Sequence, residues 1–106
     1  MPDFMGLMKQ AAQLQAKMES LQQELDALEV DGNAGGGSVT VRLSAKGELR
    51  GVSIDPAIIK PDEKEIIEDL IVAAHADARR KAEAVLKERM GQLTGGLPLP
   101  PGLKLF

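Results

Sequence analysis

The chain has 106 residues, of which 43 % are apolar, enough for one domain with a modest core and for further burial by self-association. It contains no cysteine, which excludes a disulfide framework, a thiolate metal site and a thiol nucleophile, and fits a reducing cytoplasm. A formal net charge of −3 offers no whole-molecule attraction to an anionic polymer, so such a partner would have to be met by a local patch; two aromatic residues, Phe4 and Phe106, exclude base stacking on aromatic platforms.

The N-terminus opens Met1-Pro2-Asp3 rather than with a basic flank and an apolar run, and no stretch approaches the roughly 18 apolar residues of a membrane span. A soluble, unexported protein is expected. From Phe4 to Leu28 apolar residues recur in alternating steps of three and four: Phe4, Leu7, Ala11, Leu14, Met18, Leu21, Leu25 and Leu28. This is a heptad stripe on one helix, with Gln10, Gln15, Lys17, Gln22 and Glu24 on its flanks. Asp3 can cap that helix, and Gly6 in the first turn costs about 1 kcal/mol against alanine. At 1.5 Å per residue the helix runs about 37 Å, more than a domain of this size covers, so it is expected to project or to pair.

Glu29 to Ser38 holds Val30, where a short strand can begin, and the glycines Gly35, Gly36 and Gly37. Three glycines suggest a phosphate loop, but such loops lead into a helix and carry a following Lys-Ser/Thr, whereas here a strand follows. The expectation is a turn or bulge. Val39, Val41, Leu43 and Ala45 alternate with Thr40, Arg42 and Ser44, a half-buried strand. After the turn Ala45-Lys46-Gly47-Glu48, a second run from Leu49 to Asp55 sets Val52 and Ile54 on one face with Arg50 and closes at Pro56, giving a hairpin. Ala57-Ile58-Ile59 reads as a brief helical turn, and Pro61-Asp62 with Glu65 as a capped helix start.

The last helix is expected from Glu63 to about Leu93, with a stripe of Ile67, Ile71, Ala74, Ala78, Ala82, Val85 and Leu86. Ile66, Leu70 and Ala73 widen the stripe over the first half, which is expected to pack on the sheet or on a twin, and the alanines allow another backbone to come close. Acidic residues gather early (Asp62, Glu63, Glu65, Glu68, Asp69) and basic ones late (Arg79, Arg80, Lys81, Lys87, Arg89), which suits the helix dipole without any ligand. Thr94 to Phe106 is rich in glycine and proline, with Leu97, Leu99, Leu103 and Phe106, and is expected to be extended, disordered or docked through those apolar residues.

No catalytic group stands out. His75, the only histidine, lies among alanines with no nucleophile nearby and reads as a packing or surface residue. Glu68 and Asp69 point about 100° apart on a helix and lack a third ligand. Ser38, Ser44 and Ser53 lack a nucleophile elbow. No enzyme, cofactor, metal ion or small-molecule substrate is expected. Binding surfaces remain: Arg80 and Lys87 lie opposite the apolar stripe of the last helix, with Arg79 beside them and Glu83 able to pair with Arg79 and Lys87. The outer side of the first helix carries Gln10, Gln13, Gln22 and Gln23 with Lys9 and Lys17, residues that can contact phosphates or base edges. Charge alone makes these solvated, salt-bridged faces first and phosphate contacts second.

Several stretches together carry a resemblance. Leu7-Met8-Lys9-Gln10-Ala11, Gln22-Gln23-Glu24-Leu25 and Ala34-Gly35-Gly36-Gly37 before a Val-Thr-Val strand come first. Gly47 with Val52-Ser53-Ile54-Asp55-Pro56, Glu68-Asp69-Leu70-Ile71-Val72-Ala73-Ala74 with Asp77-Ala78 and Lys81-Ala82, and Gly95-Gly96-Leu97 follow. In this order the chain resembles the YbaB/EbfC family of bacterial nucleoid-associated proteins over nearly its whole length. The resemblance implies an α+β fold, an α-β-β-β-α subunit with a small antiparallel sheet between two long helices, and a tweezer-like homodimer that binds double-stranded DNA in the nucleoid. It also implies a first strand from Val30 to about Gly35. The organisation expected is one DNA-binding domain over 1–106, with a helical arm 3–28, a small sheet 29–55, a long helix 62–93 and a tail 94–106.

The resemblance transfers regions rather than a signature. The candidate DNA contacts are Lys9, Lys17, Arg42, Lys46, Arg79, Arg80, Lys81, Lys87 and Arg89. The expected mode is a clamp whose paired subunits form the base and whose arms straddle the duplex, with weak sequence preference and an effect on chromosome organisation or gene expression. A DNA-reading zipper is not expected, because Met1 to Leu7 carries no positive side chain. The alternative is a coiled-coil adaptor that grips a protein helix with the same arms and binds no nucleic acid.

Overall fold

The computed structural model describes residues 3–94. The expectations for the tail from Gly95 onward lie outside the described residues. Helix α1 (Phe4–Ala27) is followed by strands β1 (Glu29–Ala34), β2 (Val39–Ser44) and β3 (Leu49–Ile54), short 3-10 turns at Pro56–Ile58 and Pro61–Glu63, and helix α2 (Lys64–Thr94). The sheet is antiparallel in the order β1-β2-β3. This is the α-β-β-β-α subunit.

Local chemistry sets each boundary. Asp3 caps α1, its carboxylate accepting from the Gly6 amide at 3.1 Å while its carbonyl accepts from Leu7. Leu28 ends the helix with an extended backbone and leads straight into β1. Gly35, Gly36 and Gly37 all have positive φ (63°, 67° and 95°), which forms the β1–β2 turn and answers the triple glycine without a phosphate. At the second turn Gly47 has φ 95°, and the Ser44 hydroxyl accepts from the Glu48 amide at 3.1 Å, so the one fully buried polar side chain among the described residues is satisfied. Asp62 makes no capping hydrogen bond, contrary to the expected capped start. Pro61 fixes the backbone of a 3-10 turn that runs into α2 instead, and Asp62 and Glu63 act on the helix end by charge.

The core lies between α2 and the inner side of the sheet. Val39, Val41 and Leu43 of β2 are fully buried against Ala74 and Ala78, with Val30, Ala34, Ile54, Ile58, Leu70 and Ile71 around them. Each such aliphatic side chain contributes about 1.5–3 kcal/mol on burial. The alanines have a specific use. Gly32 of β1 lies against the backbone of α2, and a Cβ there would collide with the Ala74 carbonyl oxygen and the Ala78 amide nitrogen.

Asp77 clamps the same junction. Its carboxylate accepts from the Asn33 amide at 3.0 Å and pairs with Lys81 at 3.1 Å and Arg80 at 3.2 Å. Lys81 also donates to the Asp31 carbonyl at 2.8 Å. The Asn33 amide, then the Lys81 ammonium, hold the Asp77 carboxyl below the ordinary carboxylate range. A depressed carboxylate stabilises the fold above its unfolded pKa, near 3.9, and that contribution is lost as pH falls through the folded value. Urea midpoints are therefore expected to drop on acidification below about pH 4. Asp77→Asn should lower the midpoint at pH 7 and flatten the drop; an unchanged acid profile would sink the assignment.

A second cluster roots the arm. Leu21 and Leu25 of α1 are buried with Ala45 and Met90, and Leu28, Val85 and Leu86 pack around them. Arg50 ties the root to the hairpin by donating to the Asp26 carbonyl and carboxylate at 3.1 and 2.9 Å. Its place differs from simple alternation. A register shift pairs Leu43 with Leu49 and Arg42 with Gly51, so the bulge puts Leu49 rather than Arg50 on the side shared by Val52 and Ile54.

Candidate functional site

Beyond its root, α1 stands free. Phe4, Leu7 and Leu14 are 71, 55 and 55 % exposed, with Met5 and Met8 also open, so the heptad stripe continues uncovered to the helix start. The principal extents of 74 × 26 × 16 Å reflect this projection. Root contacts explain why the stripe is buried only at Leu21 and Leu25: α2 reaches that far and ends.

The candidate cations fall into two groups. Arg42 is held by Asp31 at 3.0 Å on the outer side of the sheet, and that hydrogen bond and charge raise its already high pKa. Arg79 pairs with Glu83 at 3.5 Å, Arg80 and Lys81 with Asp77, and Arg89 with Glu24. The side chains of Lys9, Lys17, Lys46 and Lys87 make no hydrogen bond or ion pair among the described residues. Lys9 and Lys17 are exposed on the arm, and Lys87 shares the outer face of α2 with Arg80 one heptad away. Lys46 sits on the second turn, in a shallow groove with Glu19, Gln22, Gln23 and Asp26.

Lys17 and Arg89 are brought together. They line a groove between α1 and α2 of about 270 Å³ with Ser20, Leu21, Glu24 and Gln92. The other candidates are spread over the arm, the sheet and α2. Lys60 and Lys64, absent from the sequence-derived set, flank an apolar depression formed with Ile59, Pro61, Ile67 and Glu68; a charge pattern limited to the helix ends gave no signal for them. The outer side of the sheet is polar and internally paired, Thr40 donating to Asn33 at 2.8 Å beside the Arg42–Asp31 pair.

β3 marks a second open surface. α2 lies over β1 and β2, so the inward side of β3 packs on the core only at Ile54 and is left bare at Leu49 and Val52, 61 and 45 % exposed. On α2, Ile66 and Val72 are open as well; the helix's apolar first half is thus buried on one side only. Among the described residues no group of three or more His, Asp or Glu side chains could hold a metal ion, and no helix is long and apolar enough to cross a membrane. His75 is half-buried on α2, and its imidazole makes no hydrogen bond among the described residues.

An α-β-β-β-α subunit with a free helical arm and dispersed surface lysines has the form of a binding module, in which recognition is spread over helices. Comparison with known proteins gives its family. Residues 1–97 match the model of the YbaB/EbfC DNA-binding family, and the chain belongs to that family. It is 67 % identical over 105 residues to a nucleoid-associated protein of Rhodopseudomonas palustris strain BisB5, covering 99 % of both chains. A nucleoid-associated protein of Nitrobacter winogradskyi is 66 % identical over 103 residues, 97 % of each chain. Among solved structures, the uncharacterized protein HP0035 from Helicobacter pylori shares the fold with a TM-score of 0.77 at 22 % identity, over 90 % of this chain and 100 % of that one. Family and relatives point to DNA binding rather than to catalysis.

Proposed function

We propose that the protein binds double-stranded DNA in the nucleoid as a homodimeric clamp, with weak sequence preference, and thereby organises the chromosome and modulates expression locally. Membership of a DNA-binding family supports the ligand. The observation that carries the mode is the free arm with Lys9 and Lys17 exposed and without an ion pair, together with Lys87 on the outer face of α2. Cations already neutralised by a carboxylate release few counterions on meeting a phosphate; unpaired lysines release them fully. The bare side of β3 supports the second copy. Leu49 and Val52 form an apolar strip at a sheet edge, and a second subunit laid on it would bury side chains that α2 does not reach. Contacts of this kind go to the sugar-phosphate backbone and fix position rather than sequence.

The uncovered stripe of α1 favours one other reading, an adaptor that grips a protein helix. A mobility-shift titration on random-sequence duplex across salt concentrations separates the two. Binding is expected at low salt and should weaken as a power of salt concentration. Val52→Lys is expected to give a monomer in sedimentation and to weaken duplex binding in parallel. No shift at low salt would overturn the DNA reading, and a monomeric wild type would overturn the clamp.

A further inference from the structure

We infer that the free part of α1 pairs with the same part of a second copy of this chain, antiparallel and tip to tip, with the two Lys9 positions at the centre. The pairing rests neither on DNA nor on a contact through β3. Phe4, Leu7 and Leu14 are each more than half exposed and Ala11 lies open between them, an apolar heptad seam with nothing against it among the described residues. Faces of this kind are covered by another helix in stable assemblies. The helix is already formed, held at its root by Leu21, Leu25 and Met90, so a second copy has little left to order when it docks.

The pattern selects one register. Run antiparallel about Lys9, the apolar positions of one arm meet those of the other: Phe4 comes against the second copy's Leu14 and Leu7 against its Ala11, each contact occurring twice by symmetry. A shift of one heptad toward the root would set Phe4 on Leu21, which is only 8 % exposed because α2 already covers it. A shift the other way leaves only Phe4 and Leu7 in contact. The chosen register buries the whole free stripe and stops where α2 begins.

Charge selects the same register and the direction. Asp3 and Lys17 hold the same flanking heptad position two heptads apart, so antiparallel arms centred on Lys9 bring each Asp3 opposite the second copy's Lys17, with the two Gln10 side chains between these pairs. Both groups are exposed and available. The Lys17 ammonium makes no hydrogen bond or ion pair among the described residues, and while Oδ1 of Asp3 accepts from the Gly6 amide, Oδ2 makes none. Parallel pairing offers no such match. It would set Asp3 against Met8 and Lys17 against Gln22, and would crowd both α2 helices onto one seam at the root. In the antiparallel pair Lys9 lies on the side of α1 away from the seam and stays open, so duplex and second copy compete for Lys17 alone.

The absence of native cysteine allows a direct test on the full-length protein without DNA. Spin labels on Lys9→Cys and Gln23→Cys both lie away from the seam. Antiparallel pairing sets the two Lys9 labels level with each other and the two Gln23 labels about 42 Å apart along the axis at 1.5 Å per residue. Pulsed dipolar spectroscopy at submillimolar protein is expected to give a short distance at the first site and the long one at the second, both fading on dilution to low micromolar. Equal short distances at the two sites mean parallel pairing and overturn the inference, as does the lack of a concentration-dependent distance at the Lys9 site. Adding Val52→Lys separates this contact from a dimer through β3. The Lys9-site distance should persist in that variant at submillimolar protein, although it sediments as a monomer when dilute; its loss would overturn the arm pairing and leave the clamp standing. As a second readout, Lys17→Asp should weaken pairing several-fold at low salt by setting carboxylate against carboxylate. Leu7→Glu with Leu14→Glu should abolish pairing and leave the circular dichroism unchanged, since both leucines are exposed. Pairing that survives either variant at wild-type strength overturns the inference.

Discussion

Replacing Gly32 by alanine is expected to lower the stability of the protein by about 3 kcal/mol or more, against a typical cost near 1 kcal/mol for a point substitution. The added methyl would collide with two backbone atoms of α2, the Ala74 carbonyl oxygen and the Ala78 amide nitrogen, and would also sit 2.7 Å from the Ala78 Cβ. Backbone cannot turn aside as a long side chain can. Relief requires β1 to lift from the helix, which also pulls the Asn33 amide from Asp77 and the Asp31 carbonyl from Lys81. Gly51→Ala is the control, since a Cβ there meets nothing within 4 Å. It should shift stability by no more than about 0.5 kcal/mol. Urea denaturation of the two variants reads the difference directly. Similar midpoints would mean that β1 and α2 do not touch as described.

The second large effect is expected on DNA. Alanine at Lys9, Lys17 and Lys87 together should weaken duplex binding on the order of 500-fold at 0.1 M salt if three of the six such lysines in a dimer each meet one phosphate, because every phosphate left without its lysine takes about 0.9 from the logarithmic salt slope. Its counterpart is Asp31→Ala combined with Arg42→Ala, which removes a cation together with the carboxylate that holds it at 3.0 Å. That double variant should keep the wild-type slope and lose at most a few-fold in affinity. Fluorescence anisotropy at several salt concentrations gives both numbers. The opposite ranking would move the DNA-binding surface from the arm and α2 to the outer side of the sheet. Neither set of residues lies in the core, so the folded fraction should stay constant, which circular dichroism checks.

The helices and the β2–β3 hairpin were legible because their side chains are large enough to show a period: leucines at heptad spacing in α1, and Val39, Val41 and Leu43 alternating with polar residues in β2. β1 was not. Its inward residues are Val30, Gly32 and Ala34, small because the α2 backbone presses against them, so a correct two-residue alternation carries almost no hydrophobic signal. The residues themselves offered no more than a start at Val30, and the family resemblance supplied the strand's extent. The candidate cations were legible as a set but not as two groups. Arg42 and Asp31 are eleven positions apart and Arg89 and Glu24 sixty-five, so pairing that neutralises a charge depends on the finished fold. Glu83 could have served Arg79 or Lys87 by spacing, and it takes Arg79. The bulge at Arg50 was invisible for the same reason, as was the bare side of β3: its apolar residues are plain in the sequence, but the width of the helix's footprint is not.

The junction of α1 with the sheet has a mechanical consequence. A single residue, Leu28, separates the helix from β1, so the chain supplies no slack there, and Leu21, Leu25, Met90 and the Arg50 ties act as a fulcrum. From Leu21 to Phe4 the free lever measures about 25 Å at 1.5 Å per residue, and tilting it by about 10° would sweep its tip through about 4 Å. In the proposed clamp, small repacking at the fulcrum would be geared up into a change of jaw width, and substitutions at Met90 or Leu25 would set the gauge of whatever fits between two arms without touching it.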